Sequence, residues 1–440
     1  MTMGIVDVID RGAAFRIILM QIDEAAVIGL EHDGCLTKVS TKLMWSQLES
    51  FREVLAEQLL FAVRATRELL HLTNSSEIDK AASALEKVGS NIMFDLFEGP
   101  DEERFWKFVH RHLSYHPDDG PPVAYEPLLV EVEAPNELIP FGLIPAFDPG
   151  KRGPIDNLQK LRRFMFRFLG MAAVIRYVEP MPHSADDANE FDSLASIDQD
   201  RLLLNEGKLP IKFFQDGTLY GATVECEFFH DMASYIELDG PWPRHTDAGV
   251  DEETIAPKLA EALWRSSQRF DGSDRELADQ IHHVSCHCRV NPKLAADYKL
   301  TLGSETCGPF EISLFELKAA LHQVRKAHPK SATPSGNPLI FLNACGSSMS
   351  SPRGLPTFPR TFSASHRAVI GTETKIPDQV AASICEAFYV SLLGGSTAGQ
   401  SLHHARWHLV DFHHNPLGIL YTLHGDPGLR VSHPIPLLLP

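Results

Sequence analysis

Leu339–Ser348 reads LIFLNACGSS. Its first residues have the apolar, unbroken character of a buried strand, and the run stops at Asn343-Ala344-Cys345-Gly346. A thiol carried out of a core on a strand end and followed by Gly-Ser-Ser stands where chemistry is done. Outward from this stretch, strand-like runs at 210–214, 280–288, 338–345, 367–373 and 417–423 alternate with helical patterns at 254–268, 312–327, 378–393 and 397–410. That alternation predicts an α/β fold, a mainly parallel sheet flanked by helices. In such a sheet, reactive groups gather beyond the carboxyl ends of the strands.

A second strand has the same character at its end. In IHHVSCHC (281–288), Ile281, His283, Ser285 and His287 share one face, and His282, Val284, Cys286 and Cys288 the other. If the two strands are neighbours, His287 and Cys345 stand side by side. An imidazole there takes the thiol proton or holds the thiolate as an ion pair, which makes sulfur a nucleophile near neutral pH. Gly346 lets the chain turn, so that the N–H groups of Cys345 and Cys288 form an oxyanion hole, each donor worth about 3 kcal/mol of barrier. His283 shares the face of His287 but lies deeper in the strand.

Two other histidine-rich patterns point away from metal chemistry. His282, His283, Cys286, His287 and Cys288 alternate sides of one strand, so they do not converge as a zinc site does. HHARWHLVDFHH (403–414) has no His-Glu-x-x-His arrangement and predicts surface histidines. No metal and no cofactor is expected.

Upstream, 14–21 and 25–30 predict short strands, and 44–72 and 77–98 two long helices, the second capped by Ser75 or Ser76. A strand follows at 127–132, then the basic helix LQKLRRFMFRFLG and a strand at 172–178. The acidic stretch 183–200 and the Pro-rich stretch 347–362 predict flexible surface. Three segments result: 1–78, a strand pair and a long helix with a docking or regulatory role; 79–205, a first half; and 206–440, a second half carrying the chemistry.

Composition bounds the partners. Forty Lys and Arg against 58 Asp and Glu make the net charge −18, which argues against general binding to nucleic acid. No run is long and apolar enough to span a membrane, and the start of the chain does not read as a secretory signal. Seven cysteines, an odd number, suit reduced thiols in the cytoplasm.

The ordered motifs resemble the CHAT family, caspase-like cysteine peptidases related to separases. NELIPFGLIPAF (136–147), AVIRYVEP (173–180), HVSCHC, FLNACGSS, AVIGTETKIPDQVA (368–381), GQSLHHARW and NPLGILYTLHGDPGLRV follow that family's order from about 80 to 435. Cys345 lies 58 residues after His287 (345 − 287), close to the roughly 50 of caspases. The resemblance implies a caspase-like sandwich of a degenerate first half and a catalytic second half, with His287 as general base and Cys345 as nucleophile. Where the family has His-Gly, this chain has His287-Cys288.

The resemblance also implies the partners: a specific protein substrate, such as the product of a neighbouring gene in prokaryotic antiviral defence or programmed cell death, and an activating protein or ligand. In caspase-like topology the segment after the third strand lines the pocket for the residue preceding the cut, so Glu373 and Asp378 there would favour a basic side chain. Asp378 is also expected to cap its helix. Two rivals are a non-catalytic caspase-fold scaffold and a ligand-gated signalling module. The second lacks a G-x-x-x-x-G-K-S/T phosphate loop.

Overall fold

The computed structural model describes residues 13–113, 127–134, 139–146, 153–178, 201–243, 251–265, 279–289, 298–304, 307–327, 338–348, 357–363 and 366–435. The chain divides into two compact units, residues 1–180 with 402–422, and residues 181–401 with 423–440. Among the described residues no helix is long and apolar enough to cross a membrane.

The first unit holds β1 (Phe15–Ile22), β2 (Ala25–His32), β3 (Cys35–Met44), α1 (Leu48–Ala65), α2 (Ser75–Leu96), α3 (Pro100–Leu113), β4 (Leu128–Glu133), α4 (Leu158–Met165), α5 (Leu169–Ala172) and β5 (Ala173–Val178). Its strands lie in the order β5-β4-β1-β2-β3. β1 runs parallel to β4 from Phe15↔Val130, so the first strands extend the sheet of β4 and β5. The expected boundary near residue 78 is therefore not a boundary between these units. Phe15, Ile17 and Leu19 alternate into the core, as a half-buried strand requires.

Two expectations need correction here. The helix expected from residue 44 starts later: 35–44 form β3, Trp45–Gln47 make a 3-10 turn, and α1 runs from Leu48 to Ala65. Asp33 and Gly34, with φ of 50° and 75°, make a two-residue turn whose twist suits a hairpin. The cap of α2 is Asn74, which accepts the Glu77 N–H at 2.9 Å, rather than Ser75 or Ser76.

The second unit contains β6 (Arg201–Leu202), β7 (Leu209–Gln215), α6 (Tyr220–Asp231), β8 (Ile236–Trp242), α7 (Ile255–Arg265), β9 (Ile281–Arg289), β10 (Lys299–Ser304), β11 (Cys307–Ser313), α8 (Leu314–Ala327), β12 (Leu339–Ala344), α9 (Phe358–Ser363), β13 (Ala368–Thr372) and α10 (Asp378–Leu393). α11 (Ala398–His413) and β14 (Tyr421–Gly425) each contain a point where the chain passes between units, and β15 (Arg430–Val431) follows. β7 pairs in parallel with β8 and β9, β9 with β12, and β12 with β13. The β10–β11 hairpin runs antiparallel to the end of β9. The expected α/β class, a mainly parallel sheet flanked by helices, is borne out.

Adjacent strand residues point to opposite faces, and each face has its own helices. Val284, Cys286, Ile340, Leu342 and Ala344 join residues of α7 and α8 in one apolar core. His283, Phe341 and Asn343 face α6 and α10, which pack on each other. Of the stretch expected to be flexible at 347–362, residues 358–362 are part of α9 and bury Phe358 and Phe362. The strand expected at 417–423 starts later, because Pro416–Leu420 forms a 3-10 turn capped by Asn415. The acidic stretch 183–200 lies outside the described residues.

Candidate active site

β9 and β12 are parallel neighbours in register from Ile281↔Leu339 to Cys286↔Ala344. One step further along each strand stand His287 and Cys345. Both line one narrow cleft, together with Ser285, Asn343, Glu225 and Asp378. Residues 58 apart in sequence reach one cleft because parallel pairing aligns the two carboxyl ends.

Cys345 is half-buried just beyond β12. Its thiol donates to the Ile376 carbonyl at 3.8 Å. Burial pushes its pKa up, the Ile376 bond and Lys375 pull it back, and Asp378 pushes the same way as burial. The sulfur therefore rests as a thiol. The turn that follows is anchored to β13: Gly346, at φ 69°, donates to Thr372 Oγ1 at 2.9 Å and to the Thr374 carbonyl at 3.0 Å. Thr372 Oγ1 in turn donates to the Ala344 carbonyl at 2.9 Å. A side chain at position 346 would be strained in this left-handed backbone.

His287 is exposed and sits opposite Thr301 of β10. Cys288, opposite Leu300, packs against the apolar core on the α7/α8 side, and burial holds its thiol well above the ordinary value. Its side chain is thus turned from the face of His287. His283 is fully buried, with Nε2 at 2.7 Å from Glu225 and Nδ1 at 3.0 Å from the Tyr389 hydroxyl. His282, on the other face, places Nδ1 2.8 Å from Nε2 of His366.

Of the two carboxylates expected to shape a substrate pocket, Asp378 lines the cleft. Glu373 is 3% exposed and is not among the residues lining it. Asp378 is the first helical residue of α10; Pro377 occupies the cap position, so the expected capping role is corrected. Gly221 lets the start of α6 approach this point closely: a Cβ there would lie 3.0 Å from both the Cβ and the carbonyl oxygen of Asp378.

The 403–414 histidines are not all at the surface. His403 is 1% exposed, accepts from Trp407 Nε1 at 3.1 Å, and has its pKa lowered by burial. Glu225, which lies on α6, is absent from the sequence expectations. A carboxylate within the apolar-rich helix YGATVECEFFHD carries no local mark of burial. Together with His283 and Cys385 it puts ligand-type atoms within 4.8 Å of one another, a set that could hold a metal ion. Glu225 and His283 already satisfy each other directly.

Residues 250–417 match the CHAT-domain family model, a span that includes both His287 and Cys345 and is narrower than the motif range. The resemblance read from the motifs is borne out over that span. No curated protein matches the sequence. Among 26 matching solved chains is one from the crystal structure of the Saccharomyces cerevisiae separase–securin complex. It is 10% identical, with a TM-score of 0.43, over 94% of this chain and 30% of that chain. This chain thus spans about 30% of the length of that relative.

Proposed function

We propose that this chain is a caspase-like cysteine endopeptidase acting through a Cys345–His287 dyad. The observation that supports it is that these two residues arrive at one cleft from the ends of adjoining parallel strands. His287 takes the proton as Sγ bonds to the scissile carbonyl carbon. The oxyanion is held by the N–H groups of Cys345 and Cys288. His287 then gives its proton to the leaving amine as the C–N bond breaks. Water, deprotonated by His287, hydrolyses the thioester and frees the thiol.

The resting thiol, hydrogen-bonded to the Ile376 carbonyl and raised in pKa by burial, is in keeping with a latent enzyme that a protein or ligand signal switches on. The substrate is a specific protein partner, such as a neighbouring-gene effector in antiviral defence or programmed cell death in the cytoplasm. Asp378, which lines the cleft, supports a basic side chain at the residue preceding the cut.

A panel of peptidyl chloromethyl ketones with basic, neutral and acidic terminal residues tests this by mass spectrometry. Labelling is expected at Cys345, fastest for the basic probes. It is lost in Cys345→Ala, slowed in His287→Ala, and stripped of its basic preference in Asp378→Asn. Labelling that ignores His287→Ala sinks the dyad, and failure of every probe to mark Cys345 favours the non-catalytic scaffold.

A further inference from the structure

At the floor of the cleft, four side chains form one buried hydrogen-bonded chain across four elements. Glu225 of α6 is 1% exposed. Its Oε1 accepts from Asn343 Nδ2 at 2.5 Å, and its Oε2 lies 2.7 Å from His283 Nε2. The far nitrogen of His283 meets the Tyr389 hydroxyl of α10 at 3.0 Å, and its ring stacks on Phe341 with centroids 5.2 Å apart. With the ring proton on Nε2, His283 donates to Glu225 and accepts from Tyr389. Burial keeps that phenol protonated. The cluster is therefore satisfied without an ion, and the nearby Cys385 is held as a thiol by burial.

A carboxylate taken out of water is costly, and this one is offset only while its partners stay in place. Its bonds fall where the strand ladder changes hands. The last β7 partner of β9 is Gln215, opposite Ser285; the last β12 partner is Ala344, opposite Cys286; β10 takes over at His287. His287 and Cys345 stand just past this junction. Asn343 is two residues before Cys345, and His283 four before His287, each on the face of its neighbour.

We infer that Glu225 is a positioning residue, whose grip on Asn343 and His283 sets the spacing of the Cys345 sulfur and the His287 ring; this rests on the dyad proposed above. A slack of about 1 Å between reacting groups is enough to cost about 10²-fold in rate.

The test is the rate of Cys345 carboxamidomethylation by iodoacetamide against pH, read by peptide mass spectrometry, alongside the melting temperature. Glu225→Gln keeps the shape but offers one acceptor oxygen where two donors, Asn343 Nδ2 and His283 Nε2, converge, so its amide N–H group faces one of them. Glu225→Gln with Asn343→Asp restores donor to acceptor. We expect Glu225→Gln to slow alkylation near neutral pH about 10-fold and move its pH midpoint upward, and the double variant to recover to within about 3-fold. His287→Ala is the control for the dyad. If His287→Ala slows the reaction while Glu225→Gln matches or exceeds the unaltered protein, the positioning role is overturned and the dyad stands. If the double variant recovers melting temperature but not rate, Glu225 is merely structural. If His287→Ala leaves rate and midpoint unmoved, both fall.

Discussion

β4 and β5 in the first unit and β9 and β12 in the second are built alike, as neighbouring parallel strands paired over six residues each. They differ in what their polar side chains meet. On β4 and β5, Glu131 stands opposite Arg176 at 3.5 Å, and Arg16 of β1 reaches Glu131, Glu133 and Glu31 at 2.7 to 2.9 Å. The Arg16 side chain is 36% exposed, so water shares the work of holding these charges. On β9 and β12, His283, Ser285 and Asn343 are buried under two helices, and their partners must come from the protein. The same pairing geometry thus yields a tolerant charged surface in one unit and a preorganised polar floor in the other. Burial makes the difference, because an unpaired polar group costs little in water and about 1–3 kcal/mol in a core.

That contrast is sharpest for packing. Phe341→Ala, in a fully buried ring stacked on His283 and 5.0 Å from Phe388, should cost about 4 kcal/mol, read as a lower urea midpoint. A loss below about 1 kcal/mol would mean that the floor is loosely packed and the contrast false.

Acid should probe the buried histidine pair next. Burial lowers His366 to about 4, against the raising effect of its bond to the Phe362 carbonyl, and lowers His282 well below its ordinary value, where the charges of His366 and Lys212 act in the same direction. Below pH ~6.5 the unfolded chain takes protons that the folded one refuses, so stability present above that pH is lost as pH falls toward about 4. For His366 the full loss is about 3 kcal/mol. Urea midpoints from pH 7 to 4 should fall in the unaltered protein and fall less in His366→Gln. A flat profile in both would break the account.

The smallest effect belongs to the open surface. Arg16→Met should cost under about 1 kcal/mol despite three carboxylate partners, because exposed pairs are screened. The difference should shrink further in 1 M salt, where the screening length is about 3 Å. A salt-independent loss of several kcal/mol would place Arg16 with Glu225 rather than apart from it.

Much of this was legible along the chain. The alternation after residue 209 marks β7, β9, β12 and β13, and the 378–393 helix matches α10 residue for residue. Period-2 parity correctly puts His283, Ser285 and His287 on one face of β9, because side-chain direction in a strand is local geometry. β3 was missed although Asp33-Gly34 is a hairpin signal, since the exposed, charged strand CLTKVSTKLM has no apolar alternation to advertise it. α6 was missed too, and Glu225 with it. A glutamate looks the same in sequence whether it meets water or His283.

The order of the reactive residues, their strand faces and their likeness to CHAT motifs are properties of the chain read by itself, because each depends on neighbours a few positions away. Which histidine is sealed and which is open, that Cys288 turns to the core, and that a glutamate from a helix closes the floor were decided only by tertiary structure. Burial and partner are set by segments outside the local pattern: Glu225 is 58 residues from His283 and 118 from Asn343, and Cys288 packs on helices that flank its strand.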